Sequence, residues 1–210
     1  LRDHEDMLLS TNLSSSTRCK AEFATGLAVG LVQANGRDWA KGKIQGAAKS
    51  WTANQRGDLL QRLPEDADTW DFVAGTDAPT RAAYWKNVRI IRRLAPELVE
   101  RATKMLLECN RPFEAAGLLA SNVPKRIKVD PELVLGCLEL CVKIEDESAA
   151  GFHRFSDDAT ELLSWLATVD GIAEDRVARL EWELIPFLDR RDRSPAILHK
   201  MLAQSAELFA

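Results

Sequence analysis

Pro96-Glu97-Leu98-Val99 recurs 35 residues later as Pro131-Glu132-Leu133-Val134. The match continues in the apolar pattern: Leu98, Val99, Ala102, Met105 and Leu106 answer to Leu133, Val134, Cys137, Leu140 and Cys141. Both sets follow i, i+1, i+4, i+7, i+8, the buried stripe of an amphipathic helix. Two such helices at one offset predict a repeated helical unit in which each copy covers the apolar face of its neighbour.

Working outward, helix-stop signals recur every ~10 to 18 residues, a spacing that favours short antiparallel helix pairs. C-terminal to Pro96, the pattern predicts helices over 96–108, 112–121 and 131–144. A polar insertion follows from Glu145 to Phe155, then helices over 157–168, 174–189 and 195–208. N-terminal to it, helices are expected over 18–34, ended by Asn35-Gly36, over 40–51, from the capping segment Thr52-Ala53-Asn54-Gln55 to Pro64, over 66–74, and over 79–93. Residues 1–17 are polar. The period-2 alternation of a strand is missing. The expected fold is all-α: an irregular α-solenoid of antiparallel helix pairs, with a compact helical bundle as the alternative. Its organisation reads as a polar segment (1–17), an N-terminal helical part (18–95), and helix-pair repeats (96–210) continuous with it.

The 210 residues are 46% hydrophobic and 29% charged, enough apolar surface to offset chain entropy and sustain a core. The net charge of -4 opposes bulk attraction to nucleic acid and leaves room for a local basic patch. No segment reaches the roughly 18 consecutive apolar residues of a membrane helix. Cys19, Cys109, Cys137 and Cys141 form no Cys-x-x-Cys pair, which favours a reducing cytoplasm. The chain opens on Leu1 and closes on Phe209-Ala210 within a helical pattern, and so reads as a piece of something longer.

Few residues carry an obvious chemistry. Cys137 and Cys141 share a helix face, but the repeat puts them where Ala102 and Leu106 stand, so they read as small buried hydrophobes and no metal is expected. His153, near Asp157 and Asp158, lacks the third, orienting partner and the Gly-x-Ser-x-Gly context of a nucleophilic site. The acidic residues Glu145, Asp146, Glu147, Asp157, Asp158 and Glu161 read as a solvated helix start without EF-hand spacing. Gly26 and Gly30 permit close helix packing and are not followed by a phosphate-binding loop. No cofactor and no enzyme activity are expected.

The strongest surface feature is basic. Between 86 and 104, six cations (Lys86, Arg89, Arg92, Arg93, Arg101, Lys104) meet two acids, Glu97 and Glu100. Tyr84 and Trp85 sit beside them. The candidate partner-binding residues are Tyr84, Trp85, Lys86, Arg89, Arg92 and Arg93. An acidic protein surface would suit this composition, and so would a nucleic-acid backbone with stacked bases.

Thr69-Trp70-Asp71-Phe72-Val73, Ala83-Tyr84-Trp85-Lys86, Arg111-Pro112-Phe113-Glu114-Ala115-Ala116 and Ser194-Pro195-Ala196-Ile197-Leu198-His199 resemble the helical-repeat regions of large multidomain bacterial proteins. Arg111 to Ala120 resembles the second half of a tetratricopeptide-like helix pair, without that repeat's full set of small and aromatic residues. The resemblance spans residues 50–210 and carries no catalytic motif. It implies a sensing or assembly arm beside an effector domain, some such arms serving antiviral defence. The function expected is a non-catalytic protein-interaction or scaffolding module, its partner another protein or other domains of the same longer chain. The runner-up is a nucleic-acid-binding arm using the basic helix over 84–104.

Overall fold

Helix starts in this chain are set by short polar caps and by prolines, and the computed structural model shows both at work. It describes residues 18–46, 50–89, 94–123, 129–144, 149–186 and 195–204. Among these there are ten α-helices and no strand, so the fold is all-α. No helix among them is long and apolar enough to cross a membrane. The chain divides into two compact units, residues 1–91 and 92–210.

The first unit contains α1 (Arg18–Gly46), α2 (Ala53–Leu60), α3 (Ala67–Ala74) and α4 (Ala78–Asn87). The stop expected at Asn35-Gly36 is present as a kink: Gly36 takes φ 80°, ψ 178°, and helical residues resume directly after it. A left-handed φ of this kind suits a residue without Cβ. Thr52 and Gln55 form the expected capping box: the Gln55 N–H donates to Thr52 Oγ1, and the Thr52 N–H donates to Gln55 Oε1 at 2.7 Å. Asp66 and Asp77 cap α3 and α4 by accepting the N–H groups of Thr69 and Thr80, each at 2.9 Å.

The central contact of this unit is α2 against α4. It closes over Gly57, where a Cβ would lie 3.0 Å from Ala83 Cβ and from the Tyr84 backbone nitrogen. Arg56 is buried beside it. Its guanidinium donates to Thr80 Oγ1 and the Trp51 carbonyl, each at 2.8 Å, and to Asp77 at 3.0 Å. Pairing of that quality is what makes a buried guanidinium tolerable.

The second unit contains α5 (Pro96–Glu108), α6 (Pro112–Asn122), α7 (Pro131–Lys143), α8 (Ala149–Leu166), α9 (Glu174–Leu184) and α10 (Ala196–Gln204). Helices α5, α6 and α7 each carry proline in the first turn, where its missing N–H costs nothing. Between α5 and α6 the chain reverses through Asn110 at φ 57°. The N–H of Asn110 donates to the Leu107 carbonyl and that of Arg111 to the Leu106 carbonyl, the paired bonds of a Schellman motif. Helix α6 packs on α5, α7 and α8 at once, and its residues 115–120 are all buried. A short helix whose middle is small and apolar on every side belongs in such a central place.

The two matched helices share a buried register. Val99, Ala102, Thr103 and Leu106 of α5 are buried, as are Val134, Cys137, Leu138 and Cys141 of α7. The correspondence loosens at the edge, where Leu98 is buried but Leu133 is not, and Leu140 is 40% exposed.

One boundary is corrected. The insertion read from Glu145 to Phe155 is not a loop throughout, because α8 already begins at Ala149. Phe155 is buried and meets Phe113 edge-to-face with centroids 5.0 Å apart. It thereby extends the stripe of Ala159, Leu162, Leu163 and Leu166 by one turn toward the N-terminus.

Candidate interaction surface

The six residues singled out for partner contact do not form one surface. Tyr84 and Trp85 are 1% and 2% exposed and belong to the core of the first unit. Trp85 lies 5.3 Å from Trp70 between ring centroids, and Tyr84 meets Trp85 edge-to-face at 5.2 Å. The indole N–H of Trp70 donates to Tyr84 Oη at 3.0 Å, so the buried indole donor has its acceptor within the cluster. Burial pushes the Tyr84 phenol well above its ordinary pKa, against a smaller downward pull from that hydrogen bond. Lys86 and Arg89 are exposed, while Arg92 and Arg93 lie outside the described residues. The reading of Tyr84 and Trp85 as contact aromatics is therefore corrected: their faces pack on one another and on Trp70, leaving none for a base or a partner. The reason is helical phase. Thr80, Ala83 and Tyr84 make the inward stripe of α4 with Trp85 on its flank, whereas Lys86 falls on the outer side.

Of the other candidates, the two cysteines are packing residues. Cys137 and Cys141 are buried, and the Cys137 thiol donates to the Pro112 carbonyl at 3.5 Å. A hydrogen bond with Cys137, reinforced by burial, holds the Cys141 thiol well above the usual thiol range, away from the thiolate that metals and nucleophilic chemistry require. Among the described residues no group of three or more His, Cys, Asp or Glu is placed to hold a metal ion. Glu145, Asp146 and Glu147 lie outside the described residues, as does the side chain of His153. Asp157 and Glu161 are exposed, and Asp158 is buried.

Sequence reasoning found α9 as a helix but missed what its outer face carries. Its stripe of Val177, Leu180 and Leu184 is buried as expected, with Ala178 and Glu181 beside it. On the other side Trp182 is 61% exposed and Ile185 43%. The signal was present: Trp182 falls between the stripe positions 180 and 184, five residues from Val177, and cannot share their face. Helix α9 is also pinned on both flanks. Arg176 reaches α7 through Glu132 at 2.7 Å and Glu139 at 2.9 Å, and Glu174 accepts from Lys200 of α10 at 2.6 Å. Glu181, with no exposed surface, accepts the Leu198 N–H at 2.7 Å and so caps the first turn of α10. The exposed indole thus projects from a helix tied to both neighbours; tryptophan is enriched among the anchors of protein interfaces.

No protein-family model, curated protein or solved structure matches this chain.

Proposed function

We propose that this chain is a non-catalytic protein-interaction module whose second unit is an irregular solenoid of helix pairs. The shared register of α5 and α7 supports the stacked-pair reading. So does the contact pattern, in which α5 meets α7 and α7 meets α9 as well as their neighbours in sequence. The observation that carries the interaction reading is Trp182, mostly in water on a helix fixed at both edges, with Ile185 one turn along. Covering an aromatic side chain of this size is worth about 2–3 kcal/mol, a typical anchor contribution.

The test is affinity capture on the full chain beside two variants, Trp182→Ala and the pair Lys86→Glu with Arg89→Glu. A specific protein retained by the unaltered chain and lost with Trp182→Ala supports the module and its anchor. If nuclease-sensitive material is retained instead, and lost only with the charge-reversed pair, the nucleic-acid reading replaces it. That reading rests on the exposure of Lys86 and Arg89. Its hallmark is a steep fall in affinity with salt.

A further inference from the structure

We propose that the cleft at the kink of α1 binds a small oxyanion carried on an apolar body, either a carboxylate or a phosphate monoester. The cleft has a volume of about 540 Å3, within the range of small-molecule sites. Its lining includes two arginines, Arg37 and Arg62, and no carboxylate. Val32, Leu63 and Pro64 supply apolar wall, and Gly36, the residue that breaks the helix, lies in the same wall.

The two cations differ in what already holds them. Arg37 is fixed by Asp66 and Asp68 of the α3 start. Arg62 has no such acid among the contacts described for it. One terminal nitrogen donates to the neutral Thr25 hydroxyl at 3.3 Å, and its Nε is buried without any acceptor. An arginine cannot shed its charge, and a buried donor without an acceptor is destabilising. Such an arrangement is favourable when an incoming group completes it. The guanidinium fork matches the paired oxygens of a carboxylate or phosphate, and a small turn about the weakly held side chain brings the Nε–H to the cleft. The apolar wall then favours a ligand with a hydrocarbon portion over a bare ion. This is an unsatisfied donor maintained in the folded state, as expected where stability is traded for binding.

The experiment titrates the full chain calorimetrically with inorganic phosphate and with hexanoate, and follows the melting midpoint with each probe. It is repeated on Arg62→Met and Arg62→Lys. Saturable binding of either probe supports the site if Arg62→Met weakens it at least about tenfold and Arg62→Lys does so less severely. Tighter binding of hexanoate points to a carboxylate on an apolar body; tighter binding of phosphate points to a phosphate monoester. Without a probe, Arg62→Met is expected to melt at the same temperature as the unaltered chain or above it, since it deletes an unsatisfied donor. Absence of saturable binding by both probes at tens of millimolar overturns the proposal, as does binding undiminished by Arg62→Met. A midpoint lowered in both variants also overturns it, because Arg62 would then serve to hold α1 through Thr25.

Discussion

Gly57→Ala tests the packing of the first unit at its tightest point. An alanine Cβ at this position would lie 3.0 Å from Ala83 Cβ, 3.0 Å from the Tyr84 nitrogen and 3.1 Å from the Ala83 carbonyl carbon. Two of these atoms are backbone of the facing helix, which cannot swing aside as a flexible side chain can. Opening the α2–α4 contact strains the Arg56 hydrogen bonds and the Trp70–Tyr84–Trp85 cluster together. Overpacking of this kind costs ~1–3 kcal/mol, and alanine's better helix propensity returns up to ~1 kcal/mol. The net loss is about 1–2 kcal/mol. The control is Gly42→Ala in α1, where the glycine is exposed and nothing lies within 4 Å of an added Cβ. There only the propensity term acts, and a gain of about 0.5–1 kcal/mol is expected. Urea titration followed by near-ultraviolet circular dichroism reads the cluster's own unit. For a slope of ~2 kcal/mol/M, Gly57→Ala lowers the midpoint by ~0.5–1 M and Gly42→Ala raises it by a few tenths. A Gly57→Ala midpoint at or above that of Gly42→Ala would refute the close approach and with it this account of the core.

Three further outcomes follow from the same geometry. Tyr84→Phe leaves the buried indole N–H of Trp70 without its acceptor and is expected to cost ~1–3 kcal/mol in the same urea assay, without changing partner capture. Trp182→Ala is expected to leave the melting midpoint within about 1 °C of the unaltered chain, since the side chain is 61% exposed, while abolishing capture. Acid sensitivity should centre on two caps. For Asp77 the Thr80 N–H is the main influence lowering the carboxyl, burial opposes it, and Arg56 adds to the lowering. For Asp66 burial pushes upward, but the hydrogen bond from the Thr69 N–H together with Arg37 outweighs it. Both folded-state values lie below the unfolded one, so the unfolded chain binds more protons. The stabilisation is complete above about pH 4 and is lost as pH falls through the folded values. Urea midpoints measured below that pH should fall less steeply when both are replaced by Asn.

Several local signals proved legible because their chemistry was local. The Thr52–Gln55 box and the Asn35-Gly36 break each rest on residues within a few positions of one another, and each is found where its residue types require it. What could not be read depended on distant partners. Arg56 is buried because Thr80 and Asp77 wait 24 and 21 residues away, and Glu181 because the first turn of α10 lies 17 residues on. A charged residue on a helix gives no sign of such a partner. The aromatics misled for a different reason. Tyr84 and Trp85 were judged by their basic neighbours in sequence, whereas a helix sorts residues by phase, and adjacent positions diverge by about 100°.

Phase also explains how the two matched helices fill the same buried register with different side chains. At the shared buried positions, Ala102 and Leu106 are replaced by Cys137 and Cys141, while Thr103 is replaced by Leu138. One substitution loses volume where another gains it, so total size is roughly kept as residue identity changes. Cores tolerate this exchange when volume and pattern are preserved. The Thr103 hydroxyl is accommodated within its own helix by donating to the Val99 carbonyl at 2.8 Å, so no polar partner is needed from a neighbour. Both sulfurs are buried, and the Cys137 thiol donates to the Pro112 carbonyl of α6. The thiols therefore belong to the packing of α7 on α6, and side chains with unmet contacts are found elsewhere among the described residues, Trp182 on the outer face of α9 and Arg62 beside the kink of α1 among them.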